Sequence, residues 1–598
     1  MIFIIQKLLS FLDGASRASL LWLMVPMFFT AVLDMLSIGM IIPLSQVLLQ
    51  GPKGDGYSVF GYEIIPANGD LQQSLLYIGL VFTALFILKN VSIIYMIYTV
   101  NSKILQMGAN FQHRMFSIYL NQPYDFHIKR NSSILIRDLT MSISSAFEGL
   151  RIGLNIVLEL FLVTAVCCLL LASEPIVTVV VSVSLLCMSF LFYRVLAPVA
   201  RAWGEKLHNS NAIILKMINQ GFGAIRDVTI MRCQKFLGDM FAAETKQYAH
   251  YLGLSITVMN IPRMFVETVV VVGFIIVIIV LLGFDTTVDE IIKIAGLFGM
   301  ASLRIMPSMN RILAGATELK HRSASVETLF EDLQESIRRQ ESSRDTCVPA
   351  KPISFNDTVH IKGVSYTFDD TSSSKPAVRE LNIGIKKGES IGIVGQSGAG
   401  KTTFINILMG LIDPQTGGVY VDGKNTSENI SNWQSHFGYV PQSIYLLDDT
   451  VRRNIAFGLL DSEIDEERLN IVLKMSHLGD VVEGLPQNLD TQLGEHGMRL
   501  SGGQRQRIGI ARALYRDPDI IVFDEATSAL DNETEREVAR AIEGLSGKKT
   551  LIIIAHRLST VMKCDRLFFM KNGEIISQGS YDDLLRESPE FRSLAVGE

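Results

Sequence analysis

The sequence of 598 residues is poor in charge: 19% of its residues are Asp, Glu, Lys or Arg, whereas 48% are hydrophobic. The mean hydropathy of +0.30 is too high for an ordinary soluble protein and indicates membrane spans. The net charge is only −6 and no long basic run occurs. We therefore expect no nucleic acid partner.

Cysteine is also scarce, with 6 residues in the chain. None of them has the spacing of a metal site, and Cys167, Cys168 and Cys187 lie in apolar runs. We therefore expect reduced or lipid-buried thiols and no disulfide framework. The apolar N-terminus lacks a small-residue cleavage site, so we expect no cleaved signal peptide.

Long apolar stretches dominate the N-terminal part, and each is long enough to cross a membrane with some tilt. The predicted spans are Leu20–Leu49, Leu75–Val100, Ile152–Ala172, Ile176–Val195, Phe265–Phe284 and Ile291–Asn310. Two long polar segments, 101–151 and 200–260, separate some of them. Short turns on one side of the membrane and long polar segments on the other side indicate that the spanning helices continue well beyond the bilayer.

A glycine-rich loop organises the C-terminal part. The apolar run Ile391–Val394 leads into Gly395-Gln396-Ser397-Gly398-Ala399-Gly400-Lys401-Thr402, and a helix-compatible stretch begins at Thr403. This is the phosphate-binding pattern G-x-x-x-x-G-K-[ST] in its strand–loop–helix setting. The backbone N–H groups can surround phosphate oxygens, Lys401 adds a charge for the outer phosphates, and Thr402 offers a hydroxyl to Mg²⁺.

A second motif supplies two carboxylates. The apolar run Ile520–Phe523 ends in Asp524 and Glu525. A carboxylate at the end of a buried strand fits a second Mg²⁺ anchor, Asp524, and Glu525 can polarise an attacking water. Together the two motifs predict a P-loop NTPase that uses a nucleoside triphosphate and Mg²⁺.

Leu500-Ser501-Gly502-Gly503-Gln504 lies between these motifs and resembles the signature of ATP-binding cassette (ABC) proteins. Other motifs of that family stand in the family's order: Phe368 at the adenine-stacking position, Gln442 in the Q-loop, Asp531 in the D-loop and His556 as the switch histidine. The family usually has tyrosine at the stacking position, and phenylalanine keeps the stacking face without the hydroxyl. The alternative is a relic that keeps the fold without nucleotide, and so many ordered motifs speak against it.

The resemblance also implies how two chains share the chemistry, because ATP lies between two cassettes in this family. The residues that would act from one chain are Lys401, Thr402, Gln442, Asp524, Glu525 and His556, with Thr402, Gln442 and Asp524 on Mg²⁺. The residues that would act from the partner are Ser501, Gly503 and Asp531. One membrane half and one cassette make a half-transporter, so a dimer is expected, either a homodimer or a heterodimer with a related half.

The predicted fold is a polytopic α-helical membrane domain of the ABC exporter type joined to an α/β P-loop NTPase cassette. The boundaries are a membrane domain at 1–340 with six helices and cytoplasmic extensions, a linker at 341–353 and a cassette at 354–598. By resemblance, short coupling helices are expected near Asn131–Asp138 and Gly221–Asp227. The stretch Thr491–Gly497 resembles the X-loop of exporters, which favours an exporter over an importer.

Basic residues orient the spans. The two long polar segments hold most of the basic residues of this half, including Arg130 and Arg201, whereas the opposite loops hold little beyond Lys53 and Lys293. The positive-inside rule places both segments and both termini in the cytoplasm. The cassette must lie there too, where ATP is, and we expect a bacterial inner membrane protein.

Three cations at membrane depth are candidates for holding the substrate: Lys89, Arg263 and Arg304. Charges at such depth are costly and usually face a cavity or a partner. Doubled in a dimer, they would suit a phosphate or pyrophosphate head. The alternative is snorkelling to the headgroups or pairing with the acidic residues Asp34, Glu159 and Glu267.

Two short stretches of the membrane half, Asn219–Val228 and Arg304–Ile312, resemble PglK-type flippases of lipid-linked oligosaccharides. The resemblance implies ATP-driven flipping of an anionic lipid-linked substrate, with a polyprenyl-pyrophosphate-linked oligosaccharide as the first choice. An exporter of peptides or amphipathic small molecules is the alternative. An ATP-gated channel or regulator is a third, against which intact Glu525 and His556 speak.

Overall fold

The computed structural model describes residues 2–40, 57–59, 62–65, 71–173, 175–283, 288–344, 352–368, 375–494, 497, 500–525, 539–540, 542–555 and 557–596. The chain divides into two compact units. One comprises Met1–Gln122 and His127–Gln340, and the other comprises Pro123–Phe126 and Glu341–Glu598.

The N-terminal part is almost entirely helical. Its described helices are Ile2–Ser10, Gly14–Gly39, Leu71–Leu120, Tyr124–Lys129, Ser132–Arg137, Ile143–Ser173, Pro175–Gly223, Ile225–Ile230, Gln234–Gly283, Val288–His321 and Ser323–Arg344. A π-helical turn, Asp138–Ser142, joins two of them. Short helices thus form in both stretches where coupling helices are predicted.

Three of these helices are far longer than a bilayer requires. Leu71–Leu120 and Gln234–Gly283 have 50 residues each and Pro175–Gly223 has 49. At 1.5 Å per residue each is about 75 Å long, whereas the hydrocarbon core is about 30 Å thick. More than half of each helix therefore projects beyond the membrane, as the long polar segments predicted.

Among the described residues, five helical stretches are long and apolar enough to cross a membrane, judged by length and composition. They are Gly14–Ser37, Leu75–Leu120, Ser132–Ala172, Leu186–Gly223 and Gln234–Ile275. The sixth predicted span falls within the helix Val288–His321, where many side chains lie outside the described residues.

The second predicted span ended at Val100, but its helix continues to Leu120. An apolar stripe explains the continuation, because every third or fourth residue is buried within a stretch that otherwise reads as polar. The buried residues of the stripe are Ile104, Met107, Phe111, Met115 and Ile118.

Residues 51–70 are rich in glycine and aromatic residues, and the sequence alone predicts an external loop there with a short interfacial helix. The structure instead has two antiparallel strands there, β1 (Tyr57–Val59) and β2 (Tyr62–Ile65). Aromatic and β-branched residues, which favour strands, account for the difference.

The C-terminal unit contains two larger sheets. Its strands are β3 (Thr358–Tyr366), β4 (Val378–Lys386), β5 (Ser390–Val394), β6 (Thr416–Val421), β7 (Lys424–Asn425), β8 (Phe437–Val440), β9 (Ile520–Asp524), β10 (Thr550–Ile554), β11 (Arg566–Lys571) and β12 (Glu574–Gly579). One sheet has the order β12-β11-β5-β10-β9-β8, and the other has the antiparallel order β4-β3-β6-β7. In the six-stranded sheet every described pairing is parallel except β11 with β12.

Helices cover the parallel sheet. The described ones are Lys401–Leu408, Ile430–Ser435, Val451–Ile455, Glu466–Met475, Gly479–Glu483, Gly502–Tyr515, Tyr581–Glu587 and Pro589–Val596. Strands β5, β9 and β10 are buried at every position, so they read as continuous apolar runs without alternation. Trp433 is fully buried and donates its indole N–H to the carbonyl of Leu408 at 2.8 Å.

This topology explains why distant motifs meet. Parallel strands end at the same edge of a sheet, and ligands bind there in open α/β folds. Strand β5 runs into the glycine-rich loop, β9 ends at Asp524, and β8 ends two residues before Gln442. β5 and β9 are both neighbours of β10, which places their ends about 10 Å apart.

Candidate active site

The glycine-rich loop follows β5 and turns into the helix Lys401–Leu408. Gly398 and Gly400 have φ of 80° and 99°, in the left-handed region that favours glycine. A Cβ on Gly400 would lie 2.3 Å from the carbonyl oxygen of Ala377, so any side chain there would displace the backbone. The two glycines therefore fix the shape of the loop.

Lys401 is buried and folds back over this loop. Its Nζ donates to the carbonyl oxygens of Gly395 at 2.6 Å and of Gln396 at 3.2 Å. Burial lowers the pKa of Lys401 below its ordinary value, and the carboxylates of Glu525 and Asp524 oppose that shift. A buried ammonium held by neutral carbonyls favours an anion beside it.

The remaining residues of the loop divide by exposure. Gln396, Ser397, Gly398 and Thr402 are exposed, Gly400 is half-buried, and Gly395, Ala399 and Thr403 are buried. The exposed residues surround the N-terminus of the helix, whose first N–H groups have no partner within the helix. The arrangement fits a phosphate group, with the Thr402 hydroxyl at its edge.

Asp524 ends β9 and is only 6% exposed. Its Oδ2 accepts a hydrogen bond from the hydroxyl of Tyr439 at 3.1 Å. Burial raises the pKa of Tyr439, and the neighbouring Asp524 raises it further. Tyr439 therefore remains a hydrogen-bond donor that fixes the carboxylate.

Glu525 has a strained backbone, with φ of 51° in a residue that is not glycine. Its N–H donates to the carbonyl oxygen of Ile554 at 3.0 Å, and its Oε2 accepts from Nε2 of Gln442 at 2.6 Å. The sequence carries no signal for this left-handed residue. The structure thus brings Glu525 and Gln442, two predicted site residues, into direct contact.

Ser501 begins the helix Gly502–Tyr515, called here the signature helix. Its Oγ accepts from the N–H of Gln504 at 3.2 Å, and the Gln504 Oε1 accepts from the N–H of Ser501 at 2.9 Å. This reciprocal cap explains why serine and glutamine stand three residues apart. Ser501 itself is exposed, and Gly503 is buried.

Phe368 follows β3 and is 43% exposed. Its ring makes an edge-to-face contact with Tyr366, with ring centroids 5.2 Å apart. Tyr366 is buried, so the contact holds Phe368 while a face of its ring stays open for stacking.

Three predicted site residues fall wholly or partly outside the part of the chain that the structure describes. Asp531 and His556 lie outside the described residues, and so does the side chain of Arg304.

The other two candidate substrate cations are described, and both have acidic partners. Lys89 is buried, and its Nζ lies 2.7 Å from Oδ1 of the fully buried Asp34. Arg263 pairs with Glu267 at 3.0 Å on an exposed surface. Both partners are among those that the sequence offered as the alternative to a cavity.

Sequence reasoning missed one described cation in this region, Arg311. Its Nε lies 2.5 Å from Oε1 of Glu159, and its side chain remains 51% exposed while that of Glu159 is buried. Arg311 stands seven residues after Arg304, two helical turns along the same face. That spacing was a readable signal.

Comparisons with known proteins agree with this geometry. Residues 378–528 match the family model described as ABC transporter. The chain is 28% identical over 514 residues to the ATP-dependent lipid A-core flippase of Coxiella burnetii, a match that covers 83% of each protein. It is 35% identical over 295 residues to the flippase of that name from Vibrio cholerae, and spans about half of that relative, 49%.

A solved structure shows the same fold over nearly the whole chain. The structure is titled "Structure of a bacterial Atm1-family ABC exporter with ATP bound", and it superimposes with a TM-score of 0.78. The sequences are 21% identical, and the match covers 98% of this chain and 99% of the other.

The C-terminal unit therefore carries an ABC transporter domain that binds nucleotide, and the chain as a whole has the fold of an ABC exporter. The chain thus combines an ABC transporter ATPase domain, whose ATP hydrolysis is coupled to transport, with described helices that are long and apolar enough to cross a membrane.

Proposed function

We propose that the protein works as a homodimer that uses ATP to flip an anionic lipid-linked glycan across a bacterial inner membrane. The match to the Coxiella burnetii flippase carries this proposal. Its 514 aligned residues extend far beyond the ATP-binding half and include most of the membrane half, which is the part that contacts cargo.

Within the nucleotide site, the proposed roles follow the geometry. Lys401 and the exposed loop N–H groups hold the phosphates, and Phe368 stacks on the adenine. Glu525 polarises the attacking water, and Gln442 positions it through their contact at 2.6 Å. The set of oxygen donors suits Mg²⁺, which Thr402, Gln442 and Asp524 would hold and which neutralises charge on the phosphates.

Exposed apolar side chains support the dimer. The helix Ile225–Ile230 lies between two long helices in a segment that is otherwise polar. Around it, Phe222, Ile230 and Met231 are 73%, 73% and 74% exposed. Exposed apolar side chains of this kind mark a surface that another protein covers, and we assign this surface to the second copy. The proposed orientation keeps this surface, the cassette and both termini in the cytoplasm.

The substrate head is proposed to be anionic because Arg304 lies in the sixth predicted span and Arg311, one residue beyond that span, follows at a spacing of two helical turns. Arg311 remains half exposed despite its contact with Glu159, so it has room for a second anionic partner. Lys89 is already neutralised by Asp34 and is the weaker candidate for direct contact. A polyprenyl-pyrophosphate-linked oligosaccharide is the first choice, and a glycolipid of the lipid A-core type is the second.

Flipping and ATP hydrolysis measured in the same proteoliposomes test the proposal. The panel contains a fluorescent pyrophosphate-linked lipid, a lipid A-core glycolipid, an amphipathic peptide and a drug. We expect ATPase stimulation and flipping with the glycolipids. Stimulation by the peptide or the drug alone would replace the lipid proposal with the exporter of amphipathic molecules.

Arg304→Leu sharpens this test, with Arg201→Leu as the control, because Arg201 pairs with Glu327 outside the predicted spans. We expect Arg304→Leu to stop flipping while hydrolysis continues. Arg304→Lys should retain part of the flipping, since lysine keeps the charge but loses the fork that suits phosphate oxygens. Unchanged flipping by the Leu variant would contradict the anionic-head proposal.

A further inference from the structure

Arg512, in the last turn of the signature helix, is not among the motif residues but makes three hydrogen bonds to one segment, residues 445–454, which includes most of the helix Val451–Ile455. Its Nε donates to the carbonyl oxygen of Asn454 at 2.8 Å, and its Nη2 donates to Oδ1 of Asn454 at 3.0 Å. Its Nη1 donates to the carbonyl oxygen of Tyr445 at 2.9 Å. The guanidinium also lies over the ring of Phe457, 4.8 Å from its centroid.

The side chain of Asn454 also forms hydrogen bonds with other residues of the segment 445–454. It is fully buried, and its Nδ2 donates to the carbonyl oxygens of Leu447 and Thr450 at 3.1 and 3.0 Å. Its Oδ1 also accepts from the N–H of Leu447 at 2.9 Å. The side chain of Asn454 therefore holds the segment 445–454 in one shape, and Arg512 fixes that shape to the signature helix.

A second contact of the same helix supports the link independently. Gly509 lies three residues before Arg512, on the same helix face. A Cβ at Gly509 would lie 2.2 Å from Cδ1 of Ile444, so the absence of a side chain allows the loop to approach the helix closely. Arg512 and Gly509 together attach residues 444–454 along one face of the helix.

The segment 444–454 and the signature helix, which are attached to each other, lead to different functional residues. Gln442 stands three residues before Tyr445 and contacts Glu525 in the site of its own chain. Ser501 lies at the other end of the signature helix, about 16 Å from Arg512 along the axis. In the proposed dimer, Gln442 serves one ATP and Ser501 serves the other.

We infer that Arg512 is a positioning residue that couples the two ATP sites of the dimer by making Gln442 and Ser501 of one chain move together. This inference rests on the proposed homodimer. A planar fork with several fixed donors suits the task, because it holds two carbonyls and an amide oxygen at once. Burial lowers the pKa of Arg512, which agrees with a group shielded from water.

The test compares Arg512→Lys with Arg468→Lys in the full-length protein. Arg468 donates to the carbonyl oxygens of Tyr515 and Leu514, at the C-terminal end of the same helix, through Nε at 3.0 Å and Nη2 at 2.8 Å. Its loss therefore disturbs the same helix without touching residues 444–454. Any effect of mere helix damage should appear in both variants.

The ATP dependence of hydrolysis is measured for both variants and the wild type. We expect a Hill coefficient above one for the wild type and for Arg468→Lys. For Arg512→Lys we expect a coefficient near one and a coupling between the sites weakened about 2- to 30-fold. A Hill coefficient of one in the wild type, or an unchanged coefficient in Arg512→Lys, would overturn the inference.

Hydrogen–deuterium exchange gives a readout that does not depend on turnover. In the wild type, protection of residues 445–454 and 501–505 should rise with ATP concentration with a Hill coefficient above one. In Arg512→Lys that coefficient should fall to about one, whereas an unchanged coefficient would overturn the inference. Failure of the proposed function is distinguishable, because it appears in the wild type as a lack of ATP-dependent association and hydrolysis.

Discussion

The two units of the chain hold charge in opposite ways. In the cassette, the buried Lys401 is held by the neutral carbonyl oxygens of Gly395 and Gln396. In the membrane unit, the buried Lys89 is held by the carboxylate of Asp34. The first cation keeps its charge available for a ligand, whereas the second is already neutralised.

The different surroundings of the two cations, hydrocarbon and water, explain why they are held differently. A charge in hydrocarbon costs several kcal/mol unless a partner neutralises it, so the membrane unit pairs its charges internally. The nucleotide site opens to water and binds an anion that supplies the missing charge. A cation in the membrane unit is therefore weaker evidence of a substrate site than one in the cassette.

The largest expected effect concerns the ATP site that two chains are proposed to share. Ser501→Arg places bulk and charge where the proposed partner's phosphate docks, so we expect hydrolysis to fall to background while each cassette still binds ATP. The measurement is ATP turnover beside binding of a fluorescent ATP analogue.

Ser580→Arg is the matched control for this variant. Ser580 caps the helix Tyr581–Glu587 with the same reciprocal pattern. Its replacement therefore removes a similar cap and lowers the stability by a similar amount, about 1 kcal/mol. Hydrolysis by a dimer with Ser501→Arg in both chains would contradict the assignment of Ser501 to the partner's site.

The second effect tests how the membrane unit holds charge. Lys89→Leu removes the cation paired with the buried Asp34, and we expect a loss of about 3–5 kcal/mol in the free energy of unfolding. The double variant Lys89→Leu/Asp34→Leu should recover most of it. The measurement is unfolding in detergent.

Arg263→Leu is the control, because its pair with Glu267 is exposed and worth at most about 1 kcal/mol. Equal losses for the two single variants would break the comparison between the units. Flipping by the double variant adds a further outcome: normal flipping would remove Lys89 from the substrate site.

The third expected effect concerns Glu525, the proposed general base for the attacking water. Glu525→Gln removes the carboxylate that polarises water but keeps the contact partner of Gln442, so we expect turnover to fall about 100-fold or more with ATP still bound. Glu543→Gln is the control, since Glu543 pairs with Lys563 at 2.6 Å on the cassette surface. Near-normal turnover by Glu525→Gln would assign the base elsewhere.

The smallest effect is structural and depends on pH. Burial acts to raise the pKa of Asp422, but the N–H groups of Thr358, Asn356 and Asp357 outweigh it and hold the pKa below its ordinary value of 3.8. The stabilisation is therefore present above pH 3.8 and is lost as the pH falls through the pKa of the folded state. Asp422→Asn should remove about 1 kcal/mol near neutral pH and flatten the acid dependence.

Thermal unfolding between pH 3 and pH 7 measures this, with the exposed Asp582→Asn as the control. An Asp422→Asn variant that loses stability with acid as steeply as the wild type would show that its carboxylate contributes nothing.

The sequence by itself determined the nucleotide chemistry and the exporter architecture. Phosphate binding needs a fixed spacing of glycine, lysine and threonine along one loop, so the pattern from Gly395 to Thr402 is readable without coordinates. Helical spans are readable for a similar local reason, because backbone groups in lipid must be satisfied within the helix itself.

Only the tertiary structure decided which side chains meet across the fold. The pairing of Lys89 with Asp34 was one alternative among several, and Arg512 with Asn454 was not foreseen, because each pair joins distant parts of the chain. The left-handed backbone of Glu525 is another feature that the sequence did not predict. Its N–H donates to the carbonyl oxygen of Ile554 on a neighbouring strand, and no local pattern in the sequence encodes that contact or the positive φ.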